Sequence, residues 1–248
     1  IGSFFILISL FLKNETFFAG KYLIFYGMLP LVIIGMGSKL IIPLTQIQNP
    51  QVRGAWMQRA ESIPLSHTLV VIVTFSIAFT IEIIGLFHPE LIFIPVICRA
   101  ARFSVLVFWF VRYFHILEYK NYPGKLSKVL YFSMWMFLVG LLGQAFGLKN
   151  SPHYAHIYFV SGVTLFMISI MTRVVLSHGG KDLGIERTSN IFIIIAVLLI
   201  VAASTRATAF FLPGRTFSHL AYASLLYILS FLLWTFRIGK HLYEKPDK

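Results

Sequence analysis

YAHIYFVSGVTLFMISIMTRVVLSH, residues Tyr154–His178, is the stretch whose reading decides the fold. Its 25 residues would form a helix of about 37 Å, enough to cross a hydrocarbon core of about 30 Å. His153 and His156 stand at one end, Arg173 and His178 at the other. Ionisable groups at both ends of a spanning helix point to a site as well as an anchor.

Runs of this kind recur. The sequence predicts an all-α, polytopic transmembrane bundle with seven full spans, at about 22–44, 67–87, 91–114, 126–148, 154–177, 190–212 and 217–238. A partial or short first span occupies 1–12. The spans form a single transmembrane helical domain over 1–248, with no Gly/Ser linker and no repeat of 20–50 residues. Short loops end in turn chemistry, as at Tyr122-Pro123-Gly124, Ser151-Pro152 and Pro213-Gly214.

Composition agrees. Of 248 residues, 58% are hydrophobic and only 12% charged, with a mean hydropathy of +0.81. A soluble domain carries about 25% charged residues. In a soluble protein the net charge of +12 would raise the question of nucleic acid. Here the basic residues fall in loops between apolar runs, so the expected partners are membrane lipids and other membrane subunits, with no nucleic acid. Cys98 is the only cysteine, which excludes an intramolecular disulfide and any CxxC motif. The sequence starts at Ile1 with neither Met nor a basic leader, so no signal peptide and a missing upstream part are expected.

Loop charge sets the orientation. With strictly alternating spans, 11 basic residues, among them Arg53, Lys125, Arg187, Arg237 and Lys240, fall on one side, and 4 (Lys13, Lys21, Lys149, Arg215) on the other. The richer side, with the C-terminus, is expected to be cytoplasmic.

Charges at depth mark candidate sites, because one at helix centre costs about 2.5–3.5 kcal/mol on insertion scales. Glu82 is placed to pair with Arg99 or Arg102 across a short turn, either as an ion pair fixing two helices or as part of a ligand site. Lys39 and Arg112 read as snorkelling side chains. The topology puts His88, His153, His156 and His219 at the outer face. His153 and His156 are spaced i, i+3, and Pro152 suits a first helical turn. Two imidazoles on one turn suit a metal such as copper, with His88 as a further candidate ligand. No HExxH, P-loop, dinucleotide fingerprint or GxSxG is present, and no catalytic residue is assigned.

Met171-Thr172-Arg173, followed by Leu176, His178 and Gly179, resembles the MTRxxLGHTG pattern of the NnrS family, with His156 matching the histidine that opens the same helix in that family. Gly35-Met36-Gly37-Ser38 with Pro43, Arg206 and Trp234 are also similar in register. The chain departs from the family at Tyr131, where a histidine is usual, at Ser177, and in being shorter. The resemblance implies a bacterial inner-membrane protein that binds haem and copper and is associated with the response to nitric oxide. It implies haem ligation by His156 and His219, with Arg99, Arg102 or Arg206 neutralising propionates, and copper at His153, His156 and His88. A cofactor-free scaffold or accessory subunit of a respiratory complex is the alternative, and a small-solute transporter the third. His156 and His178 are 22 residues apart, about 33 Å along a straight helix, and cannot share a metal. Arg173 and His178 are therefore expected to form a separate inner structural or second site.

Overall fold

The computed structural model describes residues 20, 22–35, 64–86, 88, 90, 93–146, 151–179 and 182–242. Among them there is no strand, and the chain is an all-α, multi-pass membrane protein. Span 1–12, residues 36–44 of the next span and Lys39 lie outside the described residues.

Six described helices are long and apolar enough to cross a membrane, and a seventh is shorter. In chain order they are α1 (Leu23–Gly35), α2 (Leu65–Leu86), α3 (Phe93–Phe114), α4 (Lys125–Phe146), α5 (His153–His178), the short α6 (Gly184–Thr188), α7 (Ile191–Phe211) and α8 (Pro213–Arg237). The six long helices begin and end within four residues of the expected bounds, and the span expected at 22–44 is described only as far as Gly35. Where the sequence reads as one domain, contacts group the chain into two compact units, one comprising Ile1–Ile42 with Met57–Phe114, the other Pro43–Trp56 with His115–Lys248. His115, at the division, has a φ of 49°, a left-handed conformation that stops α3.

In the first unit α2 and α3 are antiparallel. Gly85 near the end of α2 meets Ile94 and Pro95, while His67 and Tyr113 hydrogen-bond at the opposite ends at 2.6 Å. Helix α2 shows why a membrane helix is hard to orient from pattern. Val71, Phe75, Ala78, Glu82 and Gly85 are buried, while Val70, Val73, Ile77, Ile81 and Ile84 form an exposed stripe at the same helical spacing. Both faces are apolar, and lipid is the solvent that makes the exposed one stable.

In the second unit α4, α5, α7 and α8 alternate in direction. Lys125 at the start of α4 donates to the Thr188 carbonyl and to Asn190 Oδ1, both at 2.5 Å, so α4 and α7 start at one end. Gly143 near the end of α4 meets Tyr154 at the start of α5, and His219 early in α8 bonds the Thr205 carbonyl late in α7. Lys125, Arg237 and Lys240 consequently share one end, as the loop-charge argument requires for this unit.

Helices α4 and α5 cross closely through glycine. A Cβ on Gly140 would lie 2.6 Å from Tyr158 Cα, and one on Gly162 would lie 2.8 Å from Phe137 Cα. The obstacles are backbone, so the helices would have to separate; small residues permit such approaches in membranes. Gly140→Ala is expected to cost about 1–3 kcal/mol, read as a lower thermal midpoint of the purified protein in detergent. An unchanged midpoint would show that the crossing is looser than described.

Candidate functional site

Helix α5 begins α-helical, widens to a π-helical segment at Ile157–Val163, and returns to α-helix at Thr164. His156 is the residue immediately before the widening. Hydroxyls compensate for the disturbed ladder: Ser161 Oγ donates to the Ile157 carbonyl at 2.7 Å, and Thr164 Oγ1 to the Phe159 carbonyl at 2.9 Å. Such π-bulges are frequent at functional sites.

Beside this turn is a cavity of about 390 Å³. Val160, Ala202, Leu220, Ala223 and Ile228 give it apolar walls, and His156, Arg206, Ser224 and Tyr227 supply the polar atoms. The Arg206 guanidinium is unusual. Its Nε and Nη1 are buried and have no hydrogen-bond partner, an expensive state for a cation at membrane depth. One turn into α8, the His219 Nδ1 lies 3.0 Å from the Thr205 carbonyl. A carbonyl only accepts, so Nδ1 donates and the neutral ring keeps its lone pair on Nε2.

The two histidines at i, i+3 have different surroundings. His156 lines the cavity, whereas the His153 ring packs at 5.2 Å from the Phe210 ring, with its Nδ1 buried and unbonded. His88 belongs to the first unit, where its Nδ1 is 2.9 Å from Glu90 Oε1 on an exposed turn. Among the described residues no three His, Cys, Asp or Glu side chains converge as a metal cluster.

The deep charges of the first unit form a separate constellation. Glu82 is fully buried and accepts from Arg99 Nε at 2.7 Å and from Arg102 Nη2. Tyr22 Oη donates to Glu82 Oε1 at 2.5 Å. Arg102, 1% exposed, also donates to the Tyr26 carbonyl at 3.0 Å, in the π-helical turn Leu23–Met28, and lies against the Phe75 and Phe79 rings. Of the two readings offered for Glu82, the geometry realises the helix-fixing ion pair. Two of the three arginines named as propionate partners, Arg99 and Arg102, are engaged by it. Tyr22 and Tyr26 were missed, since nothing in the sequence separates a tyrosine bonded at depth from one at the interface.

A family model described as NnrS protein matches residues 3–245. The chain belongs to the NnrS family. Comparison with curated proteins and with solved structures gave no match.

The NnrS-like motif at the end of α5 ties helices together. Thr172 Oγ1 bonds the Ile168 carbonyl and accepts from the buried Trp234 Nε1 at 2.9 Å, joining α5 to α8. Arg173 Nη1 donates to Glu186 Oε2 at 2.6 Å, joining α5 to α6. Burial pushes the Glu186 carboxyl above its ordinary range, and Arg173 pulls it back. His178 is exposed at the helix end, so the structure does not bring it to Arg173's partner as a second ligand. Glu186 was missed because only the fold of the short loop after α5 brings it back to Arg173. Thr172→Val should strand the Trp234 indole and cost about 1–3 kcal/mol, read as a lowered thermal midpoint; a midpoint equal to wild type would remove the tie.

Tyr131, which stands where the NnrS family usually has histidine, joins Tyr119 and Tyr122 in an aromatic cluster with ring centroids 5.1 and 5.0 Å away. It precedes Gly140, the contact point with Tyr158, by nine residues. That is about 13 Å along α4, toward the end away from His156. A histidine there would not reach the cavity beside His156.

Proposed function

We propose that this NnrS-family protein binds haem in the cavity beside α5, where His156 would ligate the iron and Arg206 would pair with a propionate. The observation that carries the reading is that the His156 imidazole lines an apolar cavity of about 390 Å³ together with the Arg206 guanidinium, whose Nε and Nη1 are buried and unbonded. The donor set fits the group: histidine is a common axial ligand of haem iron, and arginine pairs with carboxylates through two parallel hydrogen bonds. Ligand pockets usually run from about 300 to 1,000 Å³, and the cavity falls within that range. His219, its Nδ1 held by Thr205, is the second imidazole of this region. When bound, the haem iron supplies a coordination position for a diatomic ligand, and the protein's role is in the response to nitric oxide.

Copper enters the same reading through His153 and His156. The two nitrogens of one turn form a weaker donor set, and the unbonded His153 Nδ1 is the observation in its favour. We place the protein in the bacterial inner membrane with the basic ends of α4, α7 and α8 cytoplasmic, on the loop-charge argument. Haem and copper analysis of the purified protein tests both cofactors. About one haem per chain supports the reading; haem and copper both far below stoichiometry would defeat it.

The alternative of a cofactor-free scaffold draws on a different observation: Glu82 pairs with both Arg99 and Arg102 and so joins α2 to α3 through side chains of the protein itself. Co-purification with a respiratory complex, and no haem of its own, would favour that alternative.

A further inference from the structure

At the basic end of the second unit a separate cavity of about 330 Å³ lies between the α6–α7 connection and the end of α8. Arg237, Lys240 and His241 line it from the α8 side, with Thr188 and Ser189 facing them. Among the described residues, no carboxylate lines it. The two acids of the neighbouring loop are committed elsewhere, since Asp182 Oδ1 accepts the Gly184 N–H at 2.8 Å and Glu186 holds Arg173. A third cation stands close by: Lys125 Nζ is 2.5 Å from the Thr188 carbonyl.

We propose that this cavity binds a phosphate group, the anionic head of a phospholipid in the adjacent leaflet. Level and chemistry both support this. The cavity lies where α7 starts and α8 ends, so it sits at the edge of the apolar spans, where headgroup phosphates lie. Arginine offers a planar fork of donors and lysine a mobile point charge, and the Ser189 hydroxyl can add a donor to a tetrahedral anion, the Thr188 hydroxyl being already bonded to the Gly184 carbonyl at 3.0 Å. Ile185 and Ile238 form the apolar part of the wall, while Phe236 and Leu242 beside it are 73% and 59% exposed, a surface suited to acyl chains. Basic pockets between spanning helices on the cytoplasmic side are known to hold anionic headgroups. The proposal does not depend on a haem in the other cavity.

The test is native mass spectrometry and thermal shift on the purified chain in detergent. Phosphatidylglycerol, phosphatidylcholine and inorganic phosphate are added separately. Phosphatidylglycerol is expected to stay bound and raise the midpoint by several degrees, at least fivefold more tightly than phosphatidylcholine. The double variant Arg237→Gln with Lys240→Gln should lose that preference, while Arg215→Gln, at the other end of α8, keeps it. Midpoints measured without lipid show that both variants fold. Inorganic phosphate reproducing the shift at millimolar concentration would support a phosphate site fed by a free anion instead of lipid. Equal binding of the two lipids, or an equal loss in Arg215→Gln, would overturn the proposal.

Discussion

Glu82→Ala is expected to destabilise the protein by about 3–5 kcal/mol, because it leaves the buried charges of Arg99 and Arg102 without their carboxylate. Glu82 is 0% exposed, and its two partners have 10% and 1% side-chain exposure. Water cannot take over. Tyr22 would also lose its acceptor, and the Arg102 guanidinium would retain only the Tyr26 carbonyl and the faces of Phe75 and Phe79. Removing Glu82 together with Arg102 should cost less than removing Glu82 alone, since it strands one cation, Arg99, instead of two. The double variant Glu82→Met with Arg102→Met should therefore unfold at a higher temperature than Glu82→Ala. Midpoints of the three purified proteins in one detergent decide the matter. A double variant less stable than Glu82→Ala would mean that the charges stabilise these helices beyond compensating one another.

His156→Gly is expected to remove most of the bound haem while leaving the helices in place. The side chain lines the cavity, so its loss deletes the proposed ligand at that wall. Glycine adds a cost to the helix of about 1 kcal/mol, which the packing of α5 against α4 and α7 should absorb. Free imidazole at millimolar concentration should enter the vacated space and restore the haem spectrum. That recovery separates axial ligation from a structural role, since a packing defect would not respond to imidazole in this way. Arg206→Met should weaken haem retention by about ten- to 150-fold through loss of one charged contact worth about 1.5–3 kcal/mol.

Much of the fold was legible because spanning length is a strong signal. Runs such as Ile191–Phe211 carry almost no charge, and the helix ends fall close to the turn residues that mark them. Which face each helix buries was less legible. On α2 the buried and exposed stripes are equally apolar, and only Glu82 and Gly85 reveal the inward side. Grouping into two units was not visible either, since no linker composition accompanies the change after Phe114.

The candidate site was legible in its residues more than in its geometry. Depth brought His156, Arg206 and His219 to attention and placed Glu82 within reach of Arg99 or Arg102, but it could not say that Arg206 faces the His156 cavity or that Glu82 holds both of the other arginines. That distinction depends on angular position around each helix. In a chain this apolar, periodicity gives little purchase on angular position. The π-helical widening after His156 left no trace in the residue pattern, because Ser161 and Thr164 satisfy its carbonyls with side chains common anywhere in a membrane helix.

The central claim is that His156 and Arg206 hold a haem between them, and the most direct measurement is the absorption spectrum of the purified protein titrated with haemin. The account predicts a Soret band saturating near one haem per chain, absent in His156→Gly and regained on adding imidazole. A wild-type protein with no Soret band, or a His156→Gly variant that takes up haem with an unchanged spectrum, would contradict it.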